Sequence, residues 1–155
     1  MAAFQWSVVL EHLGLIALAY ALALPLAWNR ERYGRSAGLR TFPLVAIASC
    51  GYVLLGRAAL EGSEAEARVV EGLMTGIGFI GGGAILKHHA TTRGTATAAS
   101  IWTTGAIGAA VAYKLFEIAA VLACINYATF WVLTPLKKEV EPRRPAERDG
   151  AKAAG

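Results

Sequence analysis

Hydrophobic positions in this chain fall into five long runs separated by short polar segments. The runs cover residues 13–28, 42–60, 69–86, 95–113 and 115–133, and the first extends back to Trp6 across two polar residues. Most hold about 18–22 residues, and a helix of that length crosses a hydrocarbon core of about 30 Å. Backbone N–H and C=O groups find no hydrogen-bond partner in lipid, and a helix pairs them within its own segment, so the runs predict helices. The pattern predicts an all-α polytopic membrane bundle of about five transmembrane helices.

Positive charge is concentrated on one side of these predicted helices. With five spans, the segments after the first, third and fifth helices share a side. That side holds twelve of the fifteen Lys and Arg residues, namely Arg30, Arg32, Arg35, Arg40, Lys87, Arg93, Lys137, Lys138, Arg143, Arg144, Arg148 and Lys152. The opposite side holds Arg57, Arg68 and Lys114. Since basic loops stay in the cytoplasm, this bias predicts an outside N-terminus and an inside C-terminus.

The composition indicates a lipid environment. Hydrophobic residues make up 55% of the chain and charged residues 17%, against about 45–50% and about 25% in soluble domains. Topology accounts for the net charge of +4, because the basic residues lie between apolar runs rather than on one solvated face, and we expect no nucleic-acid partner. Residues 136–155 are charged and aperiodic, so a membrane domain over 1–135 is expected to precede a short disordered cytoplasmic tail.

Residues suited to catalysis or metal binding are sparse. Cys50 and Cys124 lie inside apolar runs, and the adjacent His88 and His89 have side chains that diverge. The chain has no nucleophile elbow, no phosphate-binding loop and no paired carboxylates. No charged residue lies at mid-depth of a run, which disfavours a carboxylate-based ion pump. We expect a protein that is not an enzyme and has no cofactor, and these residues do not identify a metal site.

The third run is unusually rich in glycine. Its pairs Gly72/Gly76 and Gly78/Gly82 have the small-xxx-small spacing that lets helices approach closely, which predicts tight helix packing. The triplet 81–83 allows a second interpretation, because each glycine costs about 1 kcal/mol relative to Ala in a helix. An unwound stretch at this triplet would line a cavity or path, as in a small oligomeric ion transporter or channel.

The fourth run begins with small and hydroxylated residues. Thr95, Thr97 and their neighbours predict close packing with interhelical hydrogen bonds. Trp102 lies well inside the run rather than at a membrane interface, so its indole N–H needs a threonine or a backbone carbonyl as a partner. We expect Trp102 to be packed between helices.

Three segments together resemble the MgtC/SapB family of bacterial inner-membrane proteins. They are residues 37–41 (AGLRT), residues 75–83 (TGIGFIGGG) following Arg68, and residues 93–102 (RGTATAASIW) followed by Gly105 and Gly108. The resemblance covers about residues 8–135. It implies five helices with an outside N-terminus and a link to growth under magnesium limitation and, in some members, to survival inside host cells. It also implies modulation of other membrane machinery, including the ATP synthase, rather than magnesium import.

The chain departs from the family pattern in several places. Longer members carry a small cytoplasmic α/β domain after the last helix, where this sequence continues for about 20 residues. Many relatives have an Asp shortly before the arginine that matches Arg68, and this chain has Glu64, Ala65 and Glu66 there. Glu71 occupies a position where an amide or a small residue is expected, and residues 81–83 read Gly-Gly-Gly instead of Gly-Ala-Gly.

The resemblance and the residues together imply non-enzymatic support of magnesium or ion homeostasis. The expected partners are the lipid bilayer and, through helix–helix contacts, a second copy or another membrane protein, with any Mg²⁺ linkage indirect. Arg68 and Glu71 are expected to form an ion-pair site at the outer end of the third helix, and Arg40 and Arg93 to organise the cytoplasmic face. The other candidate residues lie on the third and fourth helices: Gly76, Gly78, Gly81, Gly82, Gly83, Thr95, Thr97 and Trp102.

Overall fold

Five helices and one short hairpin make up the part of the chain that the structure, a computed structural model, describes: residues 5–33, 37–88 and 91–140. The helices are α1 (Trp6–Arg32), α2 (Thr41–Ala59), α3 (Ser63–Gly83), α4 (Thr95–Ala112) and α5 (Phe116–Val140). The antiparallel strands β1 (Leu86–His88) and β2 (Thr91–Arg93) connect α3 to α4. The prediction of an all-α membrane bundle is confirmed, and the three-residue strands are too short to give a sequence signal.

Several helices extend beyond the apolar runs that predicted them. α1 continues through Pro25 to Arg32, and α5 continues through Pro135 to Val140. α3 begins at Ser63 and ends at Gly83, three residues before the end of its run. Hydropathy marks the part of a helix that lipid can cover, whereas backbone hydrogen bonding continues into polar sequence. The predicted tail therefore begins in helix at 136–140, and its remainder, 141–155, lies outside the described residues.

α4 is the central helix of the bundle and packs against the other four. Its approach to α2 is closest at Gly108, where an added Cβ would lie 2.1 Å from the carbonyl oxygen of Ala46. One turn earlier, a Cβ on Gly105 would lie 2.0 Å from Cδ1 of Ile77 on α3. A side chain at Gly108 would meet the backbone of α2 and is excluded unless the helices move apart, so this glycine sets the spacing of α2 and α4. At Gly105 the contact is with the end of a flexible side chain, which can rotate away.

Three of the described helices, α1, α2 and α5, are long and apolar enough by themselves to cross a membrane. α4 falls outside this group because hydroxyls and glycines lower its hydropathy. α3 falls outside it because its first half is charged, with Glu64, Glu66, Arg68 and Glu71. α4 compensates by burial, with ten of its residues inside the bundle. α3 buries only Ile77 and Gly81. It is therefore both less apolar than the spanning helices and poorly covered by the rest of the described chain.

Candidate functional site

A buried arginine joins three helices at the end of the bundle where α1 terminates. Arg30 is 6% exposed. Its guanidinium donates a hydrogen bond to Oγ1 of Thr97 on α4, and its Cζ lies 4.4 Å from the ring centroid of Phe130 on α5. Thr97 and Phe130 are buried as well. A cation held against an aromatic face gains more when water is excluded, so this contact ties α1 to both neighbours.

Arg30 is a residue that sequence reasoning missed. It was counted only among the basic residues that orient the chain in the membrane, and hydropathy does not tell which side of a helix such a residue faces. The available signal was its place immediately after the apolar run, on a helix that continues to Arg32. An ionisable side chain enclosed by membrane helices is a candidate functional residue, because its burial is costly.

The next residue, Glu31, contacts the loop that precedes α2. Its Oε2 accepts a hydrogen bond from the backbone N–H of Leu39 at 3.1 Å. Gly38 lies directly against this carboxylate, and a Cβ there would be 2.1 Å from Oε2. The predicted site residue Arg40 follows and is exposed at the start of α2. Glu31 thus binds the loop before α2, and the absence of a side chain at Gly38 leaves room for the Glu31 carboxylate.

The entry into α4 depends on Gly94, whose φ is +94°. A Cβ on this residue would lie 2.0 Å from the carbonyl oxygen of Ala84, at the end of α3. Both the backbone conformation and the close approach favour glycine. The neighbouring candidates Arg93 and Thr95 are exposed, in contrast to Thr97. The structure therefore brings Thr97 into the buried cluster and leaves Arg93 and Thr95 on the surface at the same end.

A second polar contact extends the cluster along α4. The carbonyl oxygen of Ser100 accepts hydrogen bonds from Oγ1 of Thr104 at 2.7 Å and from Nδ2 of Asn126 at 3.4 Å. All three residues are buried. The Asn126 bond crosses from α5 to α4, so polar contacts join these helices at two levels, Arg30 and Asn126.

The glycines of α3 face mostly outward. Gly81 is buried against α4, where a Cβ would lie 3.3 Å from the carbonyl oxygen of Ala98. The others are exposed, and a Cβ on any of them would meet nothing within 4 Å: Gly72, Gly76, Gly78, Gly82 and Gly83. Phe79, between them, is 86% exposed. Apart from Gly81, the close approach that their spacing predicts is not made among the residues that the structure describes.

The alternative of an unwound stretch at residues 81–83 is wrong. α3 remains helical through Gly83. The N–H groups of Ala84 and Ile85 then bond to the carbonyl oxygens of Gly81 and Gly82, each at 3.0 Å, which closes the helix with a tighter turn. The triplet lies at a helix C-terminus, where glycine is favoured, rather than in mid-helix. A conducting path based on a helix break has no basis in the described residues.

A groove of about 280 Å³ separates α3 from α4 on the exposed side. Trp102 stands at its edge, 51% exposed, and its Nε1 donates a hydrogen bond to the carbonyl oxygen of Met74 at 3.3 Å. The indole therefore has the backbone partner that its position required, although it is less enclosed than expected. The groove is lined by Ile77, Gly78, Gly81, Gly82, Ile85, Ala98, Ala99 and Trp102.

The expected ion pair between Arg68 and Glu71 is wrong. Nη2 of Arg68 lies 2.9 Å from Oε1 of Glu64, one helical turn earlier, and both side chains are largely exposed. A glutamate four residues before its basic partner has the favoured geometry on a helix. Glu71 is exposed, and its backbone carbonyl accepts the Thr75 hydroxyl at 3.0 Å. These residues form surface contacts of α3 rather than a site.

Other charged residues surround a cavity of about 290 Å³ at this end of the bundle. Nζ of Lys114 lies 2.5 Å from Oε1 of Glu11, which links the α4–α5 turn to α1. Nη1 of Arg57 donates to the carbonyl oxygen of Ala112 at 2.9 Å, and its guanidinium lies 5.5 Å from the Tyr113 ring centroid. The sequence marked these charges only as helix-end residues. Within the described ranges, no three His, Cys, Asp or Glu residues are grouped as a metal site requires.

Comparison with known proteins gives a consistent match. A family model described as "MgtC family" matches residues 16–139. Protein SrpB of Synechococcus elongatus is 34% identical over 134 residues, covering 78% of this chain and 70% of its own. Protein MgtC of Brucella abortus (strain 2308) is 32% identical over 136 residues, covering 88% of this chain and 57% of its own.

A third relative differs in its printed name. The "Putative magnesium transporter YhiD" of Escherichia coli K12 is 33% identical over 104 residues, covering 60% of this chain and 46% of its own. The chain thus spans little more than half the length of Brucella MgtC and less than half that of YhiD. No solved structure matches the chain.

Proposed function

This chain belongs to the MgtC family, and from that premise we propose that it supports magnesium or ion homeostasis as a non-catalytic, multi-pass protein of the bacterial inner membrane. Its N-terminus lies outside and its C-terminus in the cytoplasm. It acts by helix–helix contact with other membrane machinery or with a second copy. The name of one relative refers to magnesium transport. Because the chain spans only part of that relative, transport by this chain does not follow from the name.

The open face of α3 is the observation that carries this proposal. A Cβ on any of its five outward-facing glycines would meet nothing within 4 Å among the described residues, and Phe79 projects from among them. α3 has too little apolar character to count among the helices that cross lipid by themselves. Small residues in membranes allow helix backbones to approach closely, and exposed glycine backbone gains from such an approach. A partner helix on this face would give α3 the packing that the described chain does not supply.

The glycines of α3 permit a test that separates partner contact from folding. Gly76 is exposed and a Cβ on it meets nothing within 4 Å, so we expect a Gly76→Leu side chain to fit within the monomer. Gly14 on α1 is also exposed with nothing within 4 Å, so Gly14→Leu is a matched control. A deletion strain is grown across a magnesium series and complemented with wild type, Gly76→Leu or Gly14→Leu, with equal membrane abundance checked by immunoblot.

We expect wild type and Gly14→Leu to rescue growth at low magnesium and Gly76→Leu to fail. A photo-crosslinking amino acid in place of Phe79 should then trap a partner or a second copy, and the same group at Leu18 on α1 should not. Equal rescue by both leucine variants, with no crosslinked product at Phe79, would overturn the contact mechanism. If the purified chain conducted magnesium in proteoliposomes, a transport function would replace the contact mechanism.

A further inference from the structure

Arg30 and Glu31 are neighbours in sequence, and each contacts a different one of the segments that carry the family resemblance. Arg30 reaches Thr97 in segment 93–102, and Glu31 binds the N–H of Leu39 in segment 37–41. Successive residues of a helix project about 100° apart, so one turn of α1 faces both segments. We propose that this last turn of α1 sets the position of the two segments relative to each other, with Arg30 as the positioning residue.

An arginine suits this role better than any other cation. Its planar guanidinium can lie against the Phe130 ring and at the same time donate in its own plane to Thr97. A lysine ammonium lacks that plane and is more strongly hydrated, so it loses more on entering the cluster. The contact is also directional: an apolar residue would fill the space between α1, α4 and α5 but would not fix how they are rotated.

The position of Thr97 adds to this inference. It lies in the first turn of α4, three residues after Gly94, where the backbone leaves the hairpin with a positive φ. A bond to Thr97 therefore holds the helix start that follows this turn. On the other side, the Glu31 carboxylate accepts the Leu39 N–H at 3.1 Å and lies beside Gly38, so it links the end of α1 to segment 37–41. The predicted cytoplasmic face, on which Arg40 and Arg93 are exposed, therefore depends on both contacts.

The test uses the full chain in its membrane with two cysteine reporters. Ala37→Cys, at a loop position that is 5% exposed, reports the position of segment 37–41, and the native buried Cys50 on α2 reports general unfolding. The exposed Cys124 is replaced by Ala. Maleimide labelling of each cysteine is followed by mass spectrometry in inside-out vesicles. The variants are Arg30→Lys, Thr97→Val and Thr97→Ser, and Thr103→Val is the matched control because its hydroxyl bonds only within α4, to Ala99.

We expect Arg30→Lys and Thr97→Val to speed labelling of Ala37→Cys by roughly tenfold, the scale of a lost hydrogen bond to a charged group, with Cys50 unchanged. Thr97→Ser and Thr103→Val should label as the parent does. Combining Arg30→Lys with Thr97→Val should add little to either change. Parent-like labelling of Thr97→Val, or equal acceleration at Cys50, would overturn the positioning role.

The labelling experiment tests the positioning role without reference to growth. The effect of that role on growth at low magnesium rests on the proposed function. Thr97→Val should also lose rescue at low magnesium, whereas Thr97→Ser and Thr103→Val should keep it. If labelling changes as expected and the wild-type chain itself fails to rescue, the positioning role stands and the proposed function fails. If wild type and Thr97→Val rescue equally well, the positioning role has no functional effect and the inference is overturned.

Discussion

A Cβ placed on Gly108 would lie 2.1 Å from the carbonyl oxygen of Ala46, so the contact between α4 and α2 leaves no space for a methyl group. Gly108→Ala should therefore destabilise the chain, by about 1–3 kcal/mol if the helices separate as overpacked cores do. Gly14→Ala is the control, because that glycine has open space around it. Thermal unfolding in detergent should give a lower midpoint for Gly108→Ala and an equal or higher one for Gly14→Ala. Equal midpoints would contradict the close approach.

Gly94 combines a positive φ with a close backbone contact, and Gly83 has neither. Gly94→Ala should lower the unfolding midpoint, because the added methyl group would be 2.0 Å from the Ala84 carbonyl oxygen and the left-handed conformation costs about 1–2 kcal/mol more for a non-glycine residue. Gly83→Ala should leave the midpoint unchanged or raise it slightly. A stable Gly94→Ala protein would show that the turn into α4 differs from the one described.

Lys114 is the one non-glycine residue with positive φ in the described ranges, at +61°. Lys114→Gly should relieve backbone strain of about 1–2 kcal/mol but remove the contact with Glu11. The substitution should therefore stabilise more in a Glu11→Gln background, where that contact is already lost, than in wild type. Chemical unfolding of the four proteins gives this difference directly. A loss of stability on Lys114→Gly in both backgrounds would show that the lysine has further contacts of greater weight.

Arg57 and Arg68 offer a direct comparison between an arginine that contacts another helix and one that pairs only within its own helix. Arg57 donates to the Ala112 carbonyl oxygen and lies over the Tyr113 ring, which ties α2 to the end of α4. Arg68 pairs only with Glu64 on its own helix in an exposed position. Arg68→Ala should cost at most about 0.5 kcal/mol, as exposed helix pairs do. Arg57→Ala should cost more, about 0.5–1.5 kcal/mol as a typical net hydrogen bond does, and equal unfolding midpoints for the two variants would contradict this.

The proposed orientation predicts opposite behaviour for two reporters fused to the C-terminus. A green fluorescent protein at the C-terminus should fluoresce, because that terminus lies in the cytoplasm. Alkaline phosphatase at the same point should be inactive, since it requires export. Phosphatase activity at the C-terminus would reverse the orientation and with it the assignment of Arg40 and Arg93 to the inner face.

The helices were predictable because their apolar runs are long and separated by charge. Their ends were not, since hydropathy stops at Trp28 while the hydrogen-bonded helix continues to Arg32. The hairpin between α3 and α4 was not predicted, because strands of three residues are too short to show the alternation of apolar and polar residues. The small and hydroxylated residues of the fourth run predicted close packing, and α4 has it at Gly108, where an added Cβ would meet the Ala46 backbone. Glycine spacing on α3 did not tell which of its glycines pack against the rest of the described chain.

The candidate site was harder to predict because it depends on where side chains point. Thr97 and Arg93 are four residues apart in one segment, yet one is buried beside Arg30 and the other is exposed. Arg68 has acidic residues one turn away on both sides, Glu64 and Glu71, and the partner four residues earlier has the better geometry. Burial of Arg30 depends on α4 and α5, which are distant in sequence, so no local pattern reveals it.

Because Arg30 and Glu31 are adjacent on α1, the number of residues in α1 determines whether both side chains reach their partners. Deleting or inserting one residue in α1 would turn everything after that point by about 100° and shift it by about 1.5 Å. Both contacts would then be lost together, although hydropathy and net charge would hardly change. Natural variation in this region should therefore take the form of substitutions, with length changes confined to the loop beyond Tyr33. In this protein the helical phase of α1 is under tighter constraint than its composition.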